Sequence, residues 1–72
     1  MERIVKVSVF EFSTTWASSF YINKYHDYGI ECHVISRNLG ILFDRYILRL
    51  KGKPENIQLY LDYLKAEKFK IH

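Results

Sequence analysis

The sequence predicts an α+β domain whose elements follow the order β-α-β-β-α-β. Two observations lead to this prediction. Apolar and polar residues alternate, as they do in half-buried strands, near residues 3–12, 30–36, 41–51 and 69–72. The first two of these segments, and likewise the last two, are separated by residues with the apolar spacing of an amphipathic helix. The second and third strands are close enough along the chain to form a hairpin.

The first strand is predicted over residues 3–12. Val5, Val7 and Val9 share one face, while Lys6 and Phe10 alternate onto the other. A period of two with β-branched residues is typical of a strand that buries one face. We therefore expect the three valines to contact the helices.

The first helix is predicted from about residue 15 to residue 28. Hydroxyl side chains before it are suited to an N-cap, and Gly29 after it is suited to a left-handed C-cap. The expected stripe along one side of the helix comprises Ala17, Phe20, Tyr21, Lys24 and Tyr28. Trp16 lies near the helix start, where little covers it, so it is a candidate exposed anchor for a partner.

The hairpin is predicted to join a strand over residues 30–36 to a strand over residues 41–51. The turn is expected at residues 37–40, because Asn38 and Gly40 tolerate positive φ angles. The apolar face of the third strand consists of Leu42, Tyr46, Leu48 and Leu50, interrupted by Asp44.

The second helix begins after Gly52. Pro54 suits the first helical turn, and Glu55 is favoured at the positive end of the helix dipole. The strongest helical pattern of the chain is the spacing i, i+3, i+4, i+7 of Ile57, Tyr60, Leu61 and Leu64. A short last strand over residues 69–72 completes the order.

Right-handed crossovers place both helices of such a chain on one face of a four-stranded antiparallel sheet. This is the ferredoxin-like, or split β-α-β, arrangement. The sequence contains no linker or low-complexity segment, so we expect residues 1–72 to form a single domain.

Composition favours a small cytoplasmic protein that self-associates. Hydrophobic residues make up 49% and aromatic residues 17% of the 72 residues, which is more than so small a core takes up. Exposed apolar patches mark interfaces, so we expect a homodimer. Cys32 is the only cysteine, and no signal-peptide pattern or membrane-spanning apolar run is present. The net charge of +3 permits nucleic-acid binding without requiring it.

Two groups of residues carry a resemblance to a known family. The first group, at the end of the first helix, is Tyr21, Tyr25, Gly29 and Ile30. The second group, at the start and middle of the second helix, is Gly52, Pro54, Glu55, Tyr60, Leu61, Tyr63 and Leu64. With these residues, nearly the whole chain resembles the ACT and NIL regulatory domains.

The resemblance implies a non-catalytic domain that dimerises through sheet edges or faces and binds a small effector or a protein partner. The chain departs from these families at two places. Before the last strand, where these families usually carry a glycine, it has Lys68. After the first strand, where small residues often line the effector site of these families, it has Ser13, Thr14 and Thr15.

No pattern specifies catalysis, so we expect a non-enzymatic protein without a metal or another cofactor. Cys32 and His33 alternate across a strand and point to opposite faces, which argues against a shared metal. His26 and His33 lie on different elements, and His72 is terminal. Cys32 is expected on the helix side of the sheet, where thiols are usually inert.

The predicted binding surface is the open face, the side of the sheet opposite the helices. Its candidate residues are Lys6, Phe10, His33, Phe43, Arg45, Ile47 and Arg49. Ser8 lies on the same face of the sheet. Aromatic residues interleaved with arginines can stack bases and neutralise phosphates, although the glycine-aromatic start of an RRM strand is absent. The alternatives are a sheet-to-sheet dimer, with the arginines paired to Glu31 or Glu11, and a different protein partner.

The leading functional hypothesis is a regulatory or adaptor domain that self-associates and binds a protein partner or a small effector. The alternative is a protein that binds single-stranded nucleic acid through the open face. The residues do not identify the ligand or the pathway, and the size is compatible with a phage accessory protein that acts on a host factor.

Overall fold

A computed structural model describes residues 1–10 and 18–72 of the chain. Trp16 and the predicted start of the first helix lie outside the described residues. The elements are β1 (Glu2–Phe10), α1 (Ser18–Ile22), a 3-10 helix (Asn23–Tyr28), β2 (Glu31–Leu39), β3 (Phe43–Lys51), α2 (Pro54–Ala66) and β4 (Phe69–Ile71). They form an α+β fold with one antiparallel sheet of four strands in the order β2-β3-β1-β4.

The core lies between one face of the sheet and the helices. Strand register places Val5 opposite Leu48 and Val7 opposite Tyr46, so these side chains share a face. The predicted apolar faces of β1 and α2 are confirmed, since all their members are buried. The core comprises Val5, Val7, Val9, Ile22, Ile30, Tyr46, Leu48, Leu50, Ile57, Tyr60, Leu61, Leu64 and Phe69.

Helix α2 begins as the sequence predicts, with Pro54 in its first turn. Gly52 precedes it at a close approach between two chain segments. A Cβ atom at Gly52 would lie 2.8 Å from the Cγ2 atom of Ile30, and the Gly52 backbone N–H donates to the Met1 carbonyl at 2.9 Å. A glycine at this position therefore allows the chain to pass from β3 into α2 while packing closely against Ile30, which directly precedes β2.

Two tyrosines join α2 to the first helical segment. The hydroxyl of Tyr60 donates to the carbonyl of Ile22 at 2.7 Å, and the hydroxyl of Tyr63 donates to the carbonyl of Tyr21 at 3.0 Å. The two bonds therefore fix the end of α1 against α2.

The first helical segment differs from the prediction in its second half and in its buried side. Residues 23–28 form a 3-10 helix, and Phe20 is 59% exposed, whereas Ser18 and Ile22 are buried. The Ser18 hydroxyl shares a hydrogen bond of 2.7 Å with that of Tyr46, which turns this side of α1 toward the sheet. The prediction for Gly29 is confirmed, since its φ angle of 67° is left-handed.

The hairpin turn is shorter than predicted. Strand β2 continues to Leu39, and the backbone N–H of Gly40 donates to the carbonyl of Phe43 at 2.9 Å. The register of β2 against β3 shifts between Val34 and Ser36, which identifies a β-bulge at this point. The predicted alternation of β2 is therefore wrong beyond Val34.

Lys68 adopts the left-handed conformation, with a φ angle of 70°, immediately before β4. This is the position at which the predicted resemblance to the ACT and NIL domains implies a glycine. A lysine in this conformation costs about 1–2 kcal/mol relative to a right-handed one. The residue before β4 therefore has a left-handed backbone conformation, which favours glycine, although it is a lysine.

Among the described residues, no helix is both long enough and apolar enough to span a membrane.

Candidate functional site

The open face is arranged in rows of side chains that strand register places side by side. One row crosses all four strands and consists of Asn38, Arg45, Ser8 and Lys70. The next row contains Ser36, Ile47 and Lys6, and His72 adjoins it because its backbone N–H donates to the Lys6 carbonyl at 2.8 Å. These two rows bring together polar and cationic residues from both ends of the chain.

A shallow cavity of about 530 Å³ lies over these two rows. Ser8 lines it and is only 7% exposed, although it belongs to the open face. The short Ser8 side chain lies between the long side chains of Arg45 and Lys70, so the surface is depressed there. The cavity is lined by Lys6, Val7, Ser8, Ser36, Asn38, Phe43, Arg45, Tyr46, Ile47, Lys70 and His72.

Ser8 and His72 form a hydrogen bond within the cavity. The Ser8 Oγ atom lies 2.8 Å from the His72 Nε2 atom. In one tautomer Nε2 accepts the hydroxyl hydrogen of Ser8. In the other, and in the imidazolium form, Nε2–H donates to Oγ and leaves the hydroxyl hydrogen for another acceptor. The pair can therefore present hydrogen-bond donors to a ligand.

The charges on the open face are divided between its two ends. Within the described part of the chain, Lys6, Arg45 and Lys70 form no salt bridge, and no aspartate or glutamate lines the cavity. At the opposite end, the Arg49 Nε atom lies 3.5 Å from the Glu2 Oε1 atom. The cavity therefore carries an excess of positive charge that no described carboxylate neutralises.

Within the chain, Arg49 on the open face pairs with Glu2 and not with Glu31, and Glu11 lies outside the described residues. Arg49 pairs with Glu2, because Ile4 lies opposite Arg49 in the register and Glu2 is the next open-face residue of β1. Both side chains are about half exposed, so the pair contributes only about 0–1 kcal/mol to stability.

Two phenylalanines border the cavity at the end where β1 finishes and β3 begins. Phe10 lies opposite Phe43, and the ring centroids are 5.4 Å apart in an edge-to-face arrangement. Phe43 is 44% exposed and also lines the cavity beside Arg45. A planar group could therefore contact this ring while an attached anion reaches the cations.

The candidates from the sequence occupy different parts of this face. Four of them, Lys6, Phe43, Arg45 and Ile47, line the cavity, and Phe10 adjoins it. His33 and Arg49 form a neighbouring row with Ile4, closer to the Glu2 end. Trp16 lies outside the described residues.

Sequence reasoning missed Lys70, His72, Ser36 and Asn38 as members of the site. A signal for Lys70 existed, since Phe69 is apolar and a strand that buries Phe69 must turn Lys70 to the open face. No comparable signal existed for Ser36 and Asn38, because the bulge in β2 decides their face.

A second polar cluster lies on the helix side of the sheet. The Ser18 hydroxyl donates to Asp44 Oδ2 at 3.4 Å and is also bonded to Tyr46, while Asp44 Oδ1 has no hydrogen-bond partner among the described residues. The Arg37 guanidinium lies over the Tyr46 ring, 5.9 Å from its centroid. Asp44 thus interrupts the apolar face of β3 as predicted, and its contact with Ser18 helps to orient α1.

Cys32 does not have the character of a reactive thiol. It lies opposite Leu50 on the helix side of the sheet, and burial raises the pKa of its thiol. Little thiolate is present at neutral pH under these conditions. The described residues contain no group of three or more histidine, cysteine, aspartate or glutamate side chains that could hold a metal ion.

No protein-family model matches the chain, and no curated protein matches it either. The function of the open face is therefore inferred from its own residues and their geometry.

Proposed function

We propose that the protein is a non-enzymatic binding domain whose open face binds single-stranded nucleic acid. The observation that carries this proposal is the pair of cations, Arg45 and Lys70, that lie on either side of Ser8 and form no salt bridge with a described residue, with the exposed ring of Phe43 beside them. The cations are suited to the phosphates of a strand, and the ring is suited to stacking on an unpaired base. This favours the nucleic-acid alternative over the effector-binding hypothesis.

The fold is compatible with this assignment, but it does not distinguish nucleic-acid binding from other binding functions. The strand order β2-β3-β1-β4 is the order expected for a ferredoxin-like domain, in which the sheet face opposite the helices is free to bind. Regulatory domains of the ACT and NIL type share that topology, so the choice among functions rests on the side chains of the open face.

A single strand fits this surface better than a duplex does. The sheet presents a shallow concave surface rather than a projecting helix that could enter a major groove. Contact with Phe43 requires a base that is not paired within a helix. By analogy with other four-stranded sheets that bind RNA, we expect the face to hold about two or three bases.

The test is the binding of a short fluorescein-labelled oligothymidine, followed by anisotropy over a series of salt concentrations. Affinity is expected to fall as salt rises, because binding releases counterions from phosphates. Phe43→Ala is expected to weaken binding about tenfold, since stacking on one base contributes about 1–3 kcal/mol.

The matched control is Phe20→Ala, which removes a ring that is 59% exposed on α1, away from the open face. Its affinity for the strand should equal that of the wild type. Equal losses in the two variants would contradict base stacking at Phe43, and no binding at low salt would exclude the proposed function.

Self-association is a second candidate, favoured by a different surface. The hairpin tip, which comprises Leu39, Gly40, Ile41 and Leu42, has three apolar side chains that are at least half exposed, and Ile41 is 90% exposed. Exposed apolar clusters of this kind mark interfaces. Three residues of the tip, Gly40, Ile41 and Leu42, line a second pocket together with Asn38, Phe43 and Arg45, so a partner bound to the tip would lie against residues that also line the cavity.

Size-exclusion chromatography with light scattering tests this candidate. We expect the mass to rise toward that of a dimer as concentration increases, and Ile41→Ser to shift the chain back to a monomer. Leu59→Ser, at a residue 56% exposed on α2, is the control and should leave the mass unchanged. A strict monomer at every concentration would exclude self-association.

A further inference from the structure

We infer that the Ser8 cavity, defined by Ser8, Lys6, Arg45, Lys70 and His72, is a discrete phosphate-binding site. This inference rests on the proposed function in so far as the phosphate belongs to a nucleic-acid strand. The inference assigns one defined position on the basic and aromatic open face, with its own hydrogen-bond donor, to the binding of a phosphate.

The shape of the site follows from strand register. Arg45 and Lys70 are the direct neighbours of Ser8 on β3 and β4. Adjacent strands are about 4.8 Å apart, so the backbones that carry these two cations are separated by roughly 10 Å. A short serine between two long side chains leaves room for a compact tetrahedral anion with a cation on each side.

The donors at the base of the site come from Ser8 and His72. Ser8 is buried beneath the surface, and its hydroxyl is bonded to Nε2 of His72 at 2.8 Å. When Nε2 carries its hydrogen, it donates to Ser8, and the Ser8 hydroxyl is free to donate to a ligand oxygen. A bound anion favours this arrangement, because hydrogen bonds to a charged acceptor are the stronger ones.

The charge of the site favours phosphate over a carboxylate. Lys6 adds a third cation in the row beside Ser8, and none of the described residues that line the cavity is an aspartate or a glutamate. A phosphate has several oxygens that can contact cations on different strands at once, whereas a carboxylate has two in one plane. The donors therefore surround a tetrahedral group more completely.

The experiment is a titration of the isotope-labelled protein, followed by amide chemical shifts, with inorganic phosphate, with thymidine monophosphate and with potassium chloride at matched ionic strength. Saturable shifts centred on Ser8, Arg45 and Lys70 are expected with both phosphate compounds and not with chloride. A free nucleotide that binds more tightly than inorganic phosphate would place a base next to the site, whereas equal affinity would show that the phosphate alone is recognised.

Three variants locate the site. Ser8→Ala removes the hydroxyl without adding an atom, and Lys70→Gln removes a cation at an exposed position. Each is expected to weaken phosphate binding about tenfold, as the loss of one hydrogen bond to a charged group would. Lys51→Gln, at the far end of the open face, is the control and should bind as the wild type does. Lys70→Gln also keeps the test valid if Ser8→Ala fails to fold.

The outcomes separate this inference from the proposed function. Shifts that do not saturate, or that chloride reproduces, would overturn the phosphate site even if oligothymidine binds in the anisotropy assay. Saturable phosphate binding without strand binding would instead support the site and exclude the nucleic-acid function. Equal weakening by Lys51→Gln and Lys70→Gln would also overturn the inference.

Discussion

Arg45→Glu is expected to weaken the binding of a single strand about 30- to 150-fold at low salt, the equivalent of about 2–3 kcal/mol. Arg45 lies beside Ser8 on the open face and forms no salt bridge among the described residues. The substitution removes a cation that contacts phosphate and places a carboxylate at the cavity. The salt dependence should also become shallower, by about one unit of slope for each lost phosphate contact.

The matched control for this variant is Arg49→Glu. Arg49 lies on the same strand and the same face, but it pairs with Glu2 and does not line the cavity. Anisotropy with the same oligothymidine should show a much smaller loss for Arg49→Glu. Equal losses would mean that the net charge of the protein, rather than the position of Arg45, governs binding. Both side chains are exposed, so stability should change by less than about 0.5 kcal/mol in Arg45→Glu and by up to about 1 kcal/mol in Arg49→Glu, which loses its ion pair with Glu2.

The parts of the fold that could be predicted are those in which one periodic pattern extends over a whole element. The spacing of Ile57, Tyr60, Leu61 and Leu64 identified the buried side of α2, and all four residues are buried. The first helix lacks such a pattern, because aromatic residues occur on several of its sides. Its orientation depends instead on Ser18, whose hydroxyl contacts Asp44 and Tyr46 on β3.

The open face could be predicted as a surface, but its cavity could not. Alternation along β1 assigns Ser8 to the open face and gives no indication of how deeply it lies. Its depth results from Arg45 and Lys70 on adjacent strands, and its hydrogen bond joins residues 64 positions apart in the sequence. The contributions of Ser36 and Asn38 depend on the bulge in β2, which interrupts the alternation that sequence reasoning relies on.

Tyr60→Ala is expected to lower the free energy of unfolding by about 3–5 kcal/mol. Tyr60 is completely buried in the core, and its ring contacts that of Tyr28 with centroids 5.9 Å apart. Truncation would leave a cavity and would also leave the Ile22 carbonyl without its donor. A domain of 72 residues has a total stability of about 4–11 kcal/mol, so this variant should be close to unfolded.

Tyr60→Phe separates the hydrogen bond from the packing. It keeps the ring and removes only the hydroxyl that bonds to Ile22 at 2.7 Å, so we expect a loss of about 1–2 kcal/mol. Urea denaturation of the wild type and both variants measures these differences. If Tyr60→Phe cost as much as Tyr60→Ala, the hydrogen bond and not the filled core would be the main contribution of this residue.

Alkaline pH should destabilise the fold in the same region. Burial raises the pKa of Tyr60 above its ordinary value of 10.0 and raises that of Tyr63 to about 12, and it also raises the pKa of Cys32. The unfolded chain therefore loses these protons at a lower pH than the folded chain does, so stability falls as pH rises above about 10. The urea midpoint should decrease between about pH 10 and about pH 12, and it should decrease less in Tyr60→Phe, which has one fewer buried hydroxyl to ionise. A decrease as steep in Tyr60→Phe as in the wild type would show that ionisation of Tyr60 does not contribute to alkaline unfolding.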